Sequence, residues 1–142
     1  MIPKLPSADV LEDRRRSARA TMALHEIDSM LVSDEANVRY LTGFTGDSTI
    51  LFLEADRATM ISDGRYQTQL RDECGTLATF IRPPTMPMPL AIAELLSTAP
   101  GTIGIESAHM TVSTFEAVNK SIRSPASEPP TLLKPIDGFL VA

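Results

Sequence analysis

Residues 37 to 66 read NVRYLTGFTGDSTILFLEADRATMISDGRY, and this stretch carries most of the local information about the fold. Its apolar runs TILFL and ATMI, separated by the polar link Glu54–Arg57, predict an antiparallel hairpin. The preceding loop, Tyr40–Asp47, contains two glycines, two aromatic residues and several hydroxyl groups, which suit a surface that meets a ligand or a partner chain. The stretch has no histidine, cysteine or lysine, so it offers no ordinary nucleophile, base or soft-metal ligand.

Further secondary structure is predicted on both sides of this stretch. Towards the N-terminus the pattern indicates a helix from Ser7 or Asp9 to about Glu26, a strand at Ile27–Val32, and a short helix from Asp34 to Leu41 that Gly43 ends. Towards the C-terminus it indicates a helix from about Arg65 to Glu73 ended by Gly75, and then a strand at Leu77–Ile81. An extended connector at Arg82–Pro89 leads to a helix at Leu90–Ser97 and a strand at Thr102–Ile105. The remaining elements are a helix from Thr111 or Ser113 to about Ile122, a proline-rich loop at Ser124–Pro130, and a last strand at Thr131–Lys134. We therefore expect an α/β fold, with a mixed sheet of about six strands covered by helices on both faces.

Composition restricts the class of protein. The 142 residues suit a single domain, and the net charge of −5 gives no long-range attraction for nucleic acid or for an anionic membrane. There is no apolar run long enough to span a bilayer, and the N-terminus carries charge where a signal peptide needs apolar residues. The single cysteine, Cys74, permits no intramolecular disulfide and fits a reducing compartment. We expect a cytoplasmic protein with neither nucleic acid nor membrane as a partner.

Three carboxylates each follow a predicted strand, namely Asp34, Asp63 and Glu106. Because ligands of α/β sheets gather at the carboxyl ends of strands, these side chains could hold Mg²⁺ for hydrolysis. The alternative is that each one is a cap or turn residue that accepts local backbone hydrogen bonds. His25 and His109 have no metal-ligand spacing to other donors, and the residue types alone give no complete active site. We therefore predict neither catalytic nor metal-binding residues in this chain.

Two motifs carry a family resemblance, NVRYLTGFTGDS at 37–48 and ISDGRYQTQLRDEC at 61–74. They resemble the N-terminal domain of the creatinase, prolidase and Xaa-Pro aminopeptidase family, and look most like its Xaa-Pro peptidases. The matching residues are Asn37, Arg39, Tyr40, Leu41, Thr42, Gly43, Phe44, Gly46, Asp63, Gly64, Arg65, Tyr66 and Gln69, with Ser62 where threonine is usual. RRRSARATMALHEIDSMLVSD at 14–34 and IGIESAHMTVSTFEAV at 103–118 extend the resemblance over nearly the whole chain.

The resemblance implies a three-layer α/β/α domain over residues 1–142, creatinase N-terminal-domain-like and ribonuclease H-like. In the family, two divalent metal ions (Mn, Co or Zn) and the catalytic residues belong to a following pita-bread domain, which is absent from this chain. The chain alone is thus expected not to be an enzyme and to need no cofactor, whereas its parent would be an Xaa-Pro aminopeptidase or dipeptidase acting on proline-containing peptides. A creatinase-like substrate stays open for the parent. The implied partners are the C-terminal catalytic domain and a second copy in a homodimer.

By the same resemblance, five residues are candidates for the wall of the substrate entrance or for an interface: Arg39, Tyr40, Phe44, Thr45 and Asp47. Tyr40 or Phe44 could pack on a proline ring, while Arg39 or Asp47 could pair with a substrate terminus. For Phe44, anchoring of the loop to the core is an equally good interpretation. The alternative functions for the whole chain are a stand-alone ligand-binding module and a Mg²⁺-dependent hydrolase.

The DGRY turn, by contrast, is interpreted as structural. Asp63 is predicted to cap the helix that starts near Arg65, Gly64 to supply backbone freedom, and Tyr66 to pack inward. Arg65 is predicted to tie this turn to the Tyr40 loop by pairing with a carboxylate.

Overall fold

A six-stranded mixed sheet forms the centre of the domain in the computed structural model, which describes residues 6–99, 101–122 and 131–140. The strands are β1 Ser29–Val32, β2 Ile50–Glu54, β3 Ala58–Asp63, β4 Ala78–Arg82, β5 Gly101–Glu106 and β6 Thr131–Ile136. Their order across the sheet is β4-β3-β2-β1-β5-β6. Strand β2 runs antiparallel to both of its neighbours, and the other three pairings are parallel. The mixed sheet and the hairpin predicted from TILFL and ATMI are confirmed.

Helices cover both faces of this sheet. They are α1 Ala8–Leu24, α2 Glu35–Thr42, α3 Gln67–Cys74, α4 Met88–Leu96 and α5 Val112–Ser121, with a short 3₁₀ helix at Gly64–Tyr66. One core contains Met30 and Val32 with residues of α1, α2 and α3. The other contains Leu31 with residues of α4 and α5. Since successive side chains of a strand point to opposite faces, a strand buried on both sides has to be apolar throughout. The expected three-layer α/β/α architecture is confirmed.

The predicted helix caps are also present. Ser7 caps α1, its Oγ accepting a hydrogen bond from the Val10 amide at 3.3 Å. Thr111 does the same for α5 through the Thr114 amide at 3.0 Å. Gly43 ends α2 in the left-handed conformation with φ of 78°, which costs little only for glycine.

Two proline positions differ from the prediction. Pro89 was assigned to the extended connector, but α4 already begins at Met88 and Pro89 lies in its first turn. Proline is tolerated there because the amide it lacks has no partner within the helix. Pro135 lies inside β6, which was expected to end at Lys134. This strand is at the edge of the sheet, where an amide can be missing without breaking a ladder. The predicted loop at Ser124–Pro130 lies outside the described residues.

Among the described residues, no helix combines the length and apolar character that crossing a bilayer requires.

Candidate functional site

The five entrance candidates occupy two different environments. Arg39 and Tyr40 are exposed on the last turn of α2, and Thr45 and Asp47 are exposed in the loop that follows it. Phe44 is buried in the core and only 1% exposed. It therefore supports the loop from beneath, while the other four side chains face outward.

The loop is fixed to α3 through Thr45 and Glu73. The Thr45 amide and hydroxyl both donate to the Glu73 carboxylate at 2.8 Å, and Gln69 Nε2 donates to Thr45 Oγ1 at 3.0 Å. Partial burial acts to raise the pKa of Glu73, but the hydrogen bonds that it accepts from Thr45 and, at 3.3 Å, from Gln69 Nε2 outweigh this effect, and the pKa is lowered overall. Glu73 thus remains a charged acceptor that holds the middle of the loop.

A second connection joins the far end of the loop to the DGRY turn. The Tyr66 hydroxyl donates a hydrogen bond to Asp47, which lowers the pKa of Asp47 and raises that of Tyr66. The Phe44 ring meets the Tyr66 ring edge-on, with centroids 5.6 Å apart. Gly46 passes so close that a Cβ there would lie 2.6 Å from Phe44 Cζ. A glycine is needed at 46 for this reason.

Arg65 does not make the connection predicted for it. Its guanidinium pairs with Asp63 of its own turn, with Nε–Oδ1 and Nη2–Oδ2 distances of 3.0 and 2.9 Å. The prediction that Arg65 reaches the Tyr40 loop is therefore wrong, and Tyr66 makes the link instead. The predicted cap is present, because Asp63 Oδ1 accepts from the Arg65 amide at 3.0 Å.

The other two predictions for this turn have mixed outcomes. Gly64 is not among the glycines of positive φ, and the space around it is open. The backbone freedom predicted for Gly64 is consequently not used. Tyr66 is half-buried and packs against the first core, so its ring points inward as predicted while its hydroxyl reaches Asp47.

Asp63 is the most strongly perturbed carboxyl group of the site. Hydrogen bonds from the Arg65 side chain lower its pKa from 3.8 to about 2, with a smaller contribution from Arg82, whose Nη2 lies 3.8 Å away. Between these two values the unfolded chain binds a proton at Asp63 and the folded chain does not. The stability contributed by this charge is therefore present above pH 3.8 and is lost as the pH falls through about 2.

We expect an Asp63→Asn variant to be less stable than the wild type near pH 6, because the charge-assisted bonds to Arg65 are weakened. The difference should close as the pH falls towards about 2, where the wild-type carboxyl is also protonated. Urea unfolding at several pH values measures this difference. Asp56→Asn, in the exposed hairpin turn, is the matched control. A stability gap that is independent of pH would contradict the role given to Asp63.

Tyr40 lies against α1, where its ring contacts Arg14. The Arg14 guanidinium lies 4.3 Å from the centroid of the Tyr40 ring, and Arg14 Nη1 donates to the Tyr40 carbonyl at 3.0 Å. Arg15 Nη1 donates to the Leu41 carbonyl at 2.8 Å. Two arginines of α1 thus satisfy carbonyls at the end of α2.

The three carboxylates considered as metal ligands do not all meet. Asp34 and Glu106 approach each other together with His109, their ligand atoms lying within 4.8 Å, whereas Asp63 is held by Arg65. Glu106 is 4% exposed. Its carboxylate accepts hydrogen bonds from the Ser33 and Asp34 amides and, at 2.6 Å, from Asn37 Nδ2. The end of β5 is thereby joined to the start of α2, and sequence reasoning missed this structural role of Glu106.

The geometry defines a class of domain. It is a three-layer α/β/α domain whose exposed, side-chain-anchored loop carries no nucleophile–base pair among the described residues. The family model described as the creatinase/prolidase N-terminal domain matches residues 14–138. The chain therefore belongs to the creatinase/prolidase N-terminal domain family.

Solved structures with the same fold include isolated N-terminal domains. The creatinase/prolidase-like N-terminal domain of a Corynebacterium diphtheriae protein is 31% identical with a TM-score of 0.76, covering 90% of this chain and 97% of that one. The N-terminal domain of the cytoplasmic peptidase PepQ from Mycobacterium tuberculosis is 30% identical with a TM-score of 0.75, covering 89% and 95% of the two chains. These two relatives share both fold and family with this chain.

Longer relatives extend well beyond the matched part. An Xaa-Pro dipeptidase from Bacillus anthracis shares the fold with a TM-score of 0.75 at 20% identity, and the match covers 91% of this chain but 34% of that one. An uncharacterized peptidase, YqhT, from Bacillus subtilis is 44% identical over 45 residues, which are 32% of this chain and 13% of the relative. The present chain thus matches only a minor part of these two proteins.

Proposed function

We propose that this chain is the non-catalytic N-terminal domain of a metal-dependent Xaa-Pro peptidase, where it contributes to oligomer assembly and to the wall of the substrate entrance. The observation that carries the proposal is the loop from Gly43 to Asp47. It is anchored by Glu73 and Tyr66, rests on the buried Phe44, and exposes polar groups. A surface that is fixed in advance loses little entropy when it meets a substrate or a partner domain.

Each exposed candidate has a distinct chemical role in this proposal. The Tyr40 side chain, in a residue that is 49% exposed, offers an aromatic face against which a proline ring can pack. Asp47 offers an exposed carboxylate whose pKa is lowered by the hydrogen bond from Tyr66, and its negative charge suits a substrate amino terminus. Arg39 offers the opposite charge, which suits a substrate carboxylate or an acidic group on a partner. Thr45 is engaged with Glu73, so we assign it to shaping the loop.

The catalytic chemistry is assigned to a following domain with two divalent metal ions, Mn, Co or Zn, and this domain and a second copy of the chain are the proposed partners. The peptidase assignment is supported by the family, by the 30% identity to the PepQ domain and by the 44% identity over 45 residues to a peptidase. We place the protein in the cytoplasm, in line with the PepQ relative, which is described as a cytoplasmic peptidase.

The purified chain should not hydrolyse Xaa-Pro substrates when Mn²⁺, Co²⁺ or Zn²⁺ is supplied, because the proposal places every catalytic group in another domain. Its melting temperature should also be unchanged by Mg²⁺ or Mn²⁺, since a ligand that does not bind the folded state does not stabilise it. A matched assay on a two-domain Xaa-Pro dipeptidase serves as the positive control.

Metal-dependent turnover by the purified chain would overturn the non-catalytic assignment. Metal-dependent stabilisation without turnover would instead favour a binding module centred on Asp34, Glu106 and His109. Sequencing of the gene past codon 142 tests the parent directly: a continuation that supplies two Asp, one His and two Glu as metal ligands supports the proposal, and a stop codon there contradicts it.

A further inference from the structure

The two edge strands of the sheet, β4 and β6, differ in how well they are protected against further pairing. An edge strand presents a row of unpaired amides and carbonyls with which another chain can pair, and lysine and proline are among the residues that prevent this. β6 carries both, as Lys134 and Pro135, and both are exposed. β4 reads ATFIR, contains no proline, and has Arg82 at its end as its only charge. Of the two edges, β4 is therefore the one that is open to a further strand.

The outer side of β4 borders solvent. Ala78 and Thr79 are exposed, and the other three residues of the strand are only partly buried. Every residue of β3, its inner neighbour, is buried. In a parallel pair such as β3 with β4, the amides and carbonyls of alternate residues point towards the neighbouring strand. The remaining ones of β4 point outward, and within the part of the chain that the structure describes no strand lies beside them.

Partly buried apolar side chains flank β4 on both faces of the sheet. Phe80 and Met86 pack against one core, and Arg82 Nη1 holds Met86 beside the end of the strand by donating to its carbonyl at 3.0 Å. Leu77 and Ile81 pack against the other core and line a cavity of about 250 Å³ beside α3. Removing apolar surface from water drives most protein association. A strand that pairs with β4 therefore gains apolar contacts on both of its faces.

The residues of β4 suit antiparallel pairing with a second copy of the same strand. A two-fold axis perpendicular to the sheet beside Phe80 places this residue opposite its counterpart in the second copy. Thr79 is then opposite Ile81, and Ala78 is opposite Arg82. Aromatic and β-branched pairs stabilise antiparallel ladders, whereas like charges directly opposite each other destabilise them. This register brings aromatic and β-branched residues together and sets the single charge of the strand against a small neutral residue.

We propose that β4 is a dimerisation edge, where the strand pairs antiparallel with β4 of a second copy and joins the two six-stranded sheets into one. The inference rests on the oligomer assembly in the proposed function and assigns that assembly to the strand Ala78–Arg82. A second copy is favoured over a foreign strand because this edge is self-complementary in side chains and in charge. The pairing involves neither the Gly43–Asp47 loop nor metal chemistry, so it is tested separately from the entrance wall and from the non-catalytic assignment.

Sedimentation equilibrium of the full purified chain from micromolar to millimolar concentration tests the dimer, and we expect the mean mass to rise from one copy towards two. Hydrogen exchange followed by mass spectrometry at both ends of this range locates the contact. The amides of β4 should exchange more slowly in the concentrated sample, and those of β6 should exchange equally in both samples. A chain that stays monomeric throughout, or concentration-dependent protection at β6 instead of β4, would overturn the proposal.

Charge substitutions at the exposed Ala78 test the register of the pairing. Ala78→Glu sets a carboxylate against Arg82 of the second copy at two symmetric positions and should tighten the dimer about fivefold. Ala78→Lys sets like charges there and should weaken the dimer about fivefold. The matched controls are Leu132→Glu and Leu132→Lys, at an exposed position of β6, which should leave the dimer dissociation constant unchanged.

The four variants should keep the wild-type melting temperature within a few degrees, because surface substitutions away from special features change stability little. A dimer whose dissociation constant responds to neither Ala78 substitution would overturn the assignment to β4. That result would leave the oligomer assembly of the proposed function standing, with its contact at another surface.

Discussion

Replacing Glu106 by alanine should destabilise the domain by about 3 kcal/mol, since three donors would lose a buried carboxylate acceptor at once. Two of the donors are the backbone amides of Ser33 and Asp34, which immediately precede α2. For a chain of this length the loss corresponds to a fall in melting temperature of roughly 10 °C. Thermal unfolding followed by circular dichroism measures it.

Two further variants make this result interpretable. Glu106→Gln keeps an acceptor oxygen, and the Asn37 amide can turn to present its own oxygen to the new NH₂ group. It should therefore cost clearly less than Glu106→Ala. Glu116→Ala, on the exposed side of α5, should change stability by no more than about 0.5 kcal/mol. If Glu106→Ala behaved like Glu116→Ala, Glu106 would not join β5 to α2.

Phe44→Ala should cost about 3–5 kcal/mol, the usual loss for truncating a fully buried phenylalanine. The substitution would also remove the edge-on contact between the Phe44 and Tyr66 rings, so the Gly43–Asp47 loop would lose its support. Phe44→Leu, which keeps most of the volume, should cost about 1–2 kcal/mol. Urea unfolding gives both values.

Tyr40→Ala is the matched comparison for Phe44, because Tyr40 is an aromatic residue of the same region that is 49% exposed. Because this substitution removes the stacking of Tyr40 with Arg14, we expect it to lower the free energy of unfolding by about 1 kcal/mol or less. A reversed order of the two costs would mean that Phe44 is not the loop anchor. In the proposed parent peptidase, effects on binding or activity should be sought first at Tyr40, whose truncation is expected to leave the fold intact.

The sequence predicted the fold well because its signals are local. The hairpin follows from β-branched and aromatic runs around a polar link, and Ser7, Thr111 and Gly43 are caps that act on their own helices. The errors at Pro89 and Pro135 have a common cause. Proline excludes an amide hydrogen bond, but the first turn of a helix and an edge strand do not require one.

The site was harder to predict because its contacts are between residues distant in the chain. Asp34 and Glu106 were correctly brought to one edge of the sheet, since parallel pairing of β1 with β5 does this. The role of Glu106 there depends on backbone amides at the start of α2. Because backbone amides are present in every sequence, the sequence carries no signal for this contact. Similarly, Arg65 and Tyr66 are adjacent, and only the conformation of the 3₁₀ turn determines which of them reaches Asp47.

The division of the interior into two separate cores has a consequence for synthesis on the ribosome. The chain up to Arg82 contains β1 to β4 and the helices α1 to α3 that cover one face of the sheet. Leu31, Phe52 and Ile61 belong to the opposite face, whose helices α4 and α5 are translated afterwards. At synthesis rates of about 5–20 residues per second, that apolar face stays uncovered for seconds. We therefore expect the nascent chain to expose an apolar surface that can aggregate or bind a chaperone and that the finished domain hides.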